Sequence, residues 1–184
     1  PRPVQDKLPL WIATGGHVES TVKIAQAGLP IVYAIIGGNP PYFKKLIQAY
    51  RAIGSEAGHA SHELKVGAHS WGWIAEDGEQ AVKDYFHPTK QVVDAISKDR
   101  PHWQELRYEQ YLEQVGPDGV MFVGNPDQVA EKLIRMIEDL SLDRFMLHLP
   151  LGSMPHEQVL RAIELFGTQV APKVRTYFAM KEAK

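Results

Sequence analysis

Two glycines followed by a serine are the strongest candidate for chemistry in this sequence. The apolar run from Leu8 to Thr14 ends in Gly15 and Gly16, and Ser20 follows within the next helical segment. Glycine adopts positive φ without strain, and a helix begins with backbone N–H groups that have no partner in the helix. Those donors and the helix dipole attract anions. The pattern predicts a phosphate-binding loop, although a glycine pair after a strand is also an ordinary α/β turn.

A second glycine pair and a polar strand supply the other candidate residues. Gly37 and Gly38 follow the apolar run 31–36, at a strand end where barrel enzymes place their active sites. Turn geometry alone is the alternative for this pair. His69 and Ser70 lie in the polar middle of the third predicted strand. Histidine suits proton transfer because its pKa lies near neutrality, so both residues are weak catalytic candidates, with core packing as the alternative.

The remaining histidines do not form a metal-binding pattern. They are scattered along the chain, with no pair on one helical face and no carboxylate cluster beside them. A metal site requires several such ligands close together, so we expect no metal site. His148, in the last predicted strand, is as ambiguous as His69. No Gly-x-Ser-x-Gly segment supports a serine hydrolase.

Composition is that of an ordinary globular protein. The chain has 184 residues, of which 23% are charged and 44% hydrophobic, with a net charge of -2 and no cysteine. No basic block is interleaved with aromatic residues, so we expect no nucleic-acid partner. No run approaches the ~18 apolar residues of a membrane span, and no signal-peptide core is present, so we expect a cytoplasmic protein without a membrane partner. The absence of cysteine excludes thiol chemistry.

Strands alternate with helices along the chain, and we count four such units. The predicted strands span residues 8–14, 31–36, 64–75 and 144–150, each with a helix after it, and the apolar segment 120–124 is a further strand candidate before another helix. A less regular stretch, 87–119, is expected to be a helical insertion, and Asn125 is expected to cap the helix after it. This alternation predicts a parallel sheet with right-handed crossovers. It is either an open sheet or half of a (β/α)8 barrel, and a half barrel leaves unpaired edges that need a partner.

These motifs resemble the C-terminal half of the bacterial luciferase-like flavin-dependent monooxygenases, which are (β/α)8 barrels. The resemblance extends over essentially all of residues 1–184. It is carried by segments 10–16 with Glu19-Ser20, 28–31, Gly37-Gly38, 123–133, 165–166 and 170–172. The most specific segment is the turn Gly124-Asn125-Pro126 with the following helix through Lys132 and Leu133, whose role in the family is architectural.

The resemblance implies a cofactor, partners and site residues. FMN is the implied cofactor, with its phosphate on Gly15, Gly16 and Ser20 and with Thr14 and His17 as weaker candidates. Gly37 and Gly38 are further cofactor-binding candidates. A separate flavin reductase would supply FMNH2, and one oxygen atom would pass to a small organic substrate.

The family's N-terminal half supplies flavin contacts and much of the substrate pocket, and the chain opens at Pro1 without a methionine. We therefore expect a processed or truncated polypeptide that is inactive alone. Its partner would be the missing N-terminal barrel half or further copies of itself.

Two alternatives remain at this point. The first is a deazaflavin-dependent oxidoreductase, since relatives of this fold bind that cofactor at the same phosphate position and transfer hydride. The second is a non-catalytic half-barrel fragment that is stable only as an oligomer. A small nucleotide-binding domain is less supported, because the first loop lacks the Gly-x-Gly-x-x-Gly pattern.

Overall fold

The computed structural model describes residues 2–6, 8–100 and 103–183, and these form an α/β chain. The strands are β1 Ile12–Thr14, β2 Ile31–Ala34, β3 Val66–Ile74, β4 Phe122–Gly124 and β5 Arg144–His148. The helices are α1 Val18–Gln26, α2 Pro40–Glu56, α3 Gly78–Asp99, α4 Tyr108–Val115, α5 Pro126–Leu140, α6 His156–Leu165 and α7 Ala171–Glu182, with a π-helical turn at Phe166–Val170. Among the described helices, none has the length and apolar character needed to cross a membrane.

The chain divides into two compact units. The first comprises the residues up to His69 together with Leu140–Met146, and the second comprises Ser70–Asp139 and the residues from Leu147 onward. The parallel α/β fold predicted from the sequence is confirmed. Among the described residues the strands number five, one more than the four strand–helix units counted from the sequence, and the further candidate at 120–124 forms β4 over Phe122–Gly124.

In the first unit, three strand segments run parallel. Ile12 of β1 lies opposite Ile31 of β2, and Ile31 in turn lies opposite Val66 at the start of β3. The β2 residues Ile31–Tyr33 are buried, which is typical of a parallel strand covered on both faces. The amphipathic helices α1 and α2 pack against each other. This arrangement places the ends of β1 and β2 side by side.

In the second unit, the end of β3 runs parallel to β4, and α3 is longer than the sequence indicates. The helix continues to Asp99, so the less regular stretch predicted from His87 begins only after it. A proline inside a helix removes one backbone hydrogen bond, yet α3 passes through Pro88. Burial of Tyr85, Thr89 and Val93 on one face explains this continuity. The insertion over 87–119 stays a prediction.

The turn before α5 has the cap expected from the sequence. The Asn125 side chain accepts hydrogen bonds from the backbone N–H of Asp127 at 3.1 Å and of Gln128 at 3.0 Å. Gln128 returns the bond, since its Oε1 accepts from the Asn125 N–H at 2.9 Å. This reciprocal pattern satisfies donors that a helix start leaves free. The predicted N-cap is therefore confirmed.

Buried tyrosines predict a specific alkaline transition. Burial raises the pKa of Tyr33 and of Tyr50 to about 12, and it also raises the pKa of Tyr85 and Tyr111. The unfolded chain ionises its tyrosines at about pH 10, so it loses protons before the folded chain does. The contribution of these tyrosines to the free energy of unfolding is therefore complete below about pH 10, and it falls as the pH rises towards 12. Chemical denaturation followed by circular dichroism across this range tests the expectation, and a constant denaturation midpoint would contradict it.

Candidate phosphate-binding site

The loop between β1 and α1 has an open, donor-rich face. Gly16 adopts a φ of 97°, in the region that favours glycine, and the chain then enters α1 at Val18. His17 precedes the helix in extended conformation, and its side chain makes no capping hydrogen bond. Gly15 is exposed, and a Cβ placed there would meet no heavy atom within 4 Å. The first-turn N–H groups thus begin a helix beside open space, as an anion site requires.

Hydrogen bonds within the first unit hold this loop from several sides. The Gly16 N–H donates to Thr14 Oγ1 at 3.3 Å, and the Tyr42 hydroxyl donates to the Gly16 carbonyl at 2.8 Å. The Thr21 hydroxyl donates to the His17 carbonyl at 3.1 Å. The Gly16 N–H is therefore already used within the loop, by Thr14. The N–H groups of the first helical turn, in contrast, have no acceptor within the helix.

The side chains of the first helical turn differ in exposure. Ser20 is half-buried, and Val18 and Glu19 are exposed. The Ser20 hydroxyl is thus at the margin of the loop, where it can serve as a further donor. The Glu19 carboxylate interacts favourably with the helix dipole and competes with an incoming anion for the same positive end.

One aromatic ring lies between the two glycine pairs. A Cβ on Gly16 would lie 3.0 Å from Phe43 Cε1, and a Cβ on Gly38 would lie within 2.4 Å of Phe43 Cε2. Phe43 is buried and packs edge-to-face with Tyr33 at a centroid distance of 5.9 Å. Close packing on the Phe43 ring therefore excludes a side chain at Gly38 and leaves little room for one at Gly16.

The second glycine pair forms a tight turn. Gly37 adopts a φ of 65°, and the Gly38 N–H donates to the Ile35 carbonyl at 3.0 Å. This geometry explains both glycines through turn conformation and packing. A cofactor-binding role for Gly37 and Gly38 stays a prediction.

The weak catalytic candidates occupy the central strand. His69 is half-buried in β3, and its carbonyl accepts from the Ile35 N–H at 2.9 Å. Ser70 is fully buried, and its hydroxyl donates to the Val120 carbonyl at 2.5 Å. Because the buried hydroxyl already donates to a backbone carbonyl, a structural role for Ser70 is favoured. His148 is exposed at the end of β5. Catalysis by His69 or Ser70 stays a prediction.

Sequence reasoning missed the two tyrosines that support the loop. Tyr42 follows the second glycine pair by four residues, and Tyr33 lies inside β2, where its hydroxyl is 3.1 Å from Thr21 Oγ1. Tyr33 fits an ordinary buried strand position, so its pattern gives no sign of a polar role. The position of Tyr42 was the available signal, since it lies at a helix start just after the second glycine pair.

Comparison with solved structures shows the same fold in barrel enzymes about twice as long. Monooxygenase RslO1 from Streptomyces bottropensis is 20% identical, with a TM-score of 0.75, over 94% of this chain and 50% of that one. The oxygenating constituent of 3,6-diketocamphane monooxygenase from Pseudomonas putida, solved in complex with FMN, is 16% identical, with a TM-score of 0.61, over 89% and 48%.

A third neighbour uses a different cofactor. The coenzyme F420-dependent tetrahydromethanopterin reductase from Methanopyrus kandleri is 18% identical, with a TM-score of 0.61, over 90% of this chain and 50% of that one. The chain therefore spans about half the length of these structures, and the predicted fold class, half of a (β/α)8 barrel, is confirmed.

No curated protein sequence matches the chain. The sequence profile of the luciferase-like monooxygenases, in contrast, matches residues 1–144, well over half of the chain. The resemblance inferred from the motifs is thereby confirmed. The chain belongs to the luciferase-like monooxygenase family.

Proposed function

We propose that the chain is the C-terminal part of a reduced-flavin-dependent monooxygenase, and that its loop from Gly15 to Ser20 binds the phosphate of FMN. One observation carries this proposal. The loop combines a positive-φ glycine, an open side at Gly15 and the uncapped start of α1. Membership of the luciferase-like monooxygenase family supports the reaction class, and the FMN complex of one structural neighbour supports the cofactor.

The residues present suit a phosphate group. The first-turn N–H groups and the Ser20 hydroxyl are hydrogen-bond donors, and phosphate oxygens are strong acceptors. Gly15, with open space in place of a side chain, allows the anion to reach the backbone. FMN, when bound, supplies the oxygen-activating chemistry. The role of this chain's residues is to fix one end of the cofactor and thereby orient the reactive ring.

Completion of the active site requires more than this chain. The chain covers about half of each neighbouring enzyme, and β1 pairs with β2 alone among the described strands. An unpaired strand edge is a position at which another strand can add. We infer that the N-terminal half of the barrel, or a further copy of this chain, adds there and contributes the rest of the pocket. A flavin reductase would deliver the reduced cofactor, and the substrate would be a small organic molecule.

A deazaflavin cofactor is the second candidate, favoured by the F420-dependent neighbour. Both cofactors carry a phosphate, so the same loop would serve either one. The absorbance spectrum of the cofactor that co-purifies with the protein separates the two, because flavin and deazaflavin absorb at different wavelengths.

Removal of the Ser20 hydroxyl tests the phosphate assignment. We expect Ser20→Ala to weaken FMN binding by about ten- to a hundredfold, because a hydrogen bond to a charged group contributes about 1.5–3 kcal/mol. Flavin fluorescence titration measures the change. Ser55→Ala is the matched control, since Ser55 is an exposed helical serine near the far end of α2 and should leave FMN affinity unchanged. Equal affinities of wild type and Ser20→Ala would remove Ser20 from the site.

A further inference from the structure

We propose that Tyr42 is a positioning residue of the phosphate loop, and that its hydroxyl sets the direction in which the His17 N–H points. This inference rests on the proposed function, because it concerns the same loop. The Tyr42 hydroxyl donates to the Gly16 carbonyl at 2.8 Å across 26 residues of sequence. Tyr42 thus contacts the loop without being part of it.

Peptide geometry turns this one bond into a constraint on a donor. The described chain contains no cis peptide, so the Gly16 carbonyl and the His17 N–H point in opposite directions from one rigid plane. A carbonyl held towards Tyr42 therefore directs the His17 N–H to the opposite side of the loop. Without the hydroxyl, Gly16 is free to rotate that plane, because glycine has the widest choice of backbone angles.

The ring of Tyr42 is placed by a rigid support. A Cβ on Gly16 would lie 3.4 Å from Tyr42 Cε1, an ordinary contact distance, so the Tyr42 ring lies directly beside the loop. Tyr42 packs edge-to-face with Phe43 at a centroid distance of 5.6 Å, and Phe43 is buried in the core. The first turn of α2 therefore fixes the position of the Tyr42 hydroxyl beside the loop.

A second hydroxyl fixes the next peptide. Thr21 is buried, and its hydroxyl and its N–H both donate to the His17 carbonyl, at 3.1 and 3.0 Å. Tyr33 supports Thr21 from β2 at 3.1 Å. The peptide planes on both sides of His17 are thus anchored, one by Tyr42 and one by Thr21. Two neighbouring N–H groups, those of His17 and Val18, are pre-organised in this way, which lowers the cost of ordering the loop around an anion.

The test is the variant Tyr42→Phe, which removes the hydroxyl and keeps the ring. We expect FMN binding to weaken about three- to tenfold, whereas riboflavin, which lacks the phosphate, should bind as in wild type. The amide resonance of His17 should shift in the variant without any ligand. Tyr177→Phe is the matched control, because the Tyr177 hydroxyl also donates a hydrogen bond, to Glu138 at 2.9 Å in the second unit.

The outcomes separate this inference from the proposed function. Loss of affinity for FMN alone, with a shifted His17 amide, supports the positioning role. Equal losses for FMN and riboflavin, or an unshifted His17 amide, overturn it. If wild type itself binds neither FMN nor inorganic phosphate, the proposed function fails, and the His17 amide of the ligand-free variant still decides whether Tyr42 orients the loop.

Discussion

Replacing Lys132 by methionine is expected to lower the free energy of unfolding by about 2–4 kcal/mol. The Lys132 Nζ is surrounded by four backbone carbonyls, those of Gln114 at 3.3 Å, Val115 at 2.9 Å, Gly116 at 2.6 Å and Met121 at 2.6 Å. The first three belong to the end of α4, where a helix leaves carbonyls without partners and presents the negative end of its dipole. Methionine fills similar volume but donates no hydrogen bond. The Gln114 and Gly116 carbonyls still accept from the N–H groups of Met121 and Gly119, so the loss falls mainly on the carbonyls of Val115 and Met121.

Two opposing effects act on the charge of Lys132. Burial lowers its pKa to about 7, and Arg135 acts in the same direction. The four carbonyls favour the ammonium form, because only a protonated amine presents three N–H donors. A comparison at about pH 6, below the lowered pKa, keeps the amine charged in both the folded and the unfolded chain.

Urea denaturation measures the effect of Lys132→Met. Lys83→Met is the matched control, because Lys83 is an exposed lysine on α3 in the same unit. The control should leave the midpoint nearly unchanged. Equal stability of Lys132→Met and wild type would show that water, entering from the cavity of about 330 Å³ that Lys132 lines, satisfies the carbonyls equally well.

Truncation of Phe43 to alanine is expected to cost about 3–5 kcal/mol and to weaken FMN binding as well. Phe43 is buried, and its ring fills the space between Gly16 and Gly38. Its loss leaves a cavity beside both glycines, so the β1 loop and the β2 turn lose the surface that restricts them. Stability by urea denaturation and FMN affinity by fluorescence titration should fall together.

Phe43→Leu separates the two effects. Leucine restores most of the buried volume, so most of the stability should return. The flat ring face between the glycines is still missing, and FMN affinity should stay below that of wild type. A Phe43→Ala variant with unchanged FMN affinity would contradict a supporting role of this ring for the phosphate loop.

Local patterns predict those parts of the fold that depend on near neighbours in sequence. Helix α1 follows the first glycine pair as expected, and Asn125 caps α5 as its residue type indicates. The continuation of α3 past Pro88 was not predictable from the sequence. Burial of the helix face beyond the proline stabilises the helix by more than the lost backbone hydrogen bond costs. Whether a helix continues past a proline depends on burial in the folded chain, which the spacing of residues in the sequence does not reveal.

The candidate site also combines features that the sequence shows with contacts that only the structure shows. Gly15, Gly16 and Ser20 are visible as a pattern because they lie within one short segment. The bond from Tyr42 to Gly16 joins residues far apart in sequence, and three of the four carbonyls around Lys132 come from the end of a different helix. Backbone acceptors have no sequence signature, so the architectural role of the Lys132 segment was predictable only as a resemblance and not as a set of contacts.

The most direct test of the phosphate assignment is to map FMN on the protein by backbone amide resonances. We expect the largest shifts at His17, Val18, Glu19 and Ser20 on addition of FMN, and much smaller shifts there on addition of riboflavin. That result would place the phosphate at the start of α1. Equal shifts with both flavins, or shifts confined to residues outside this loop, would contradict the assignment.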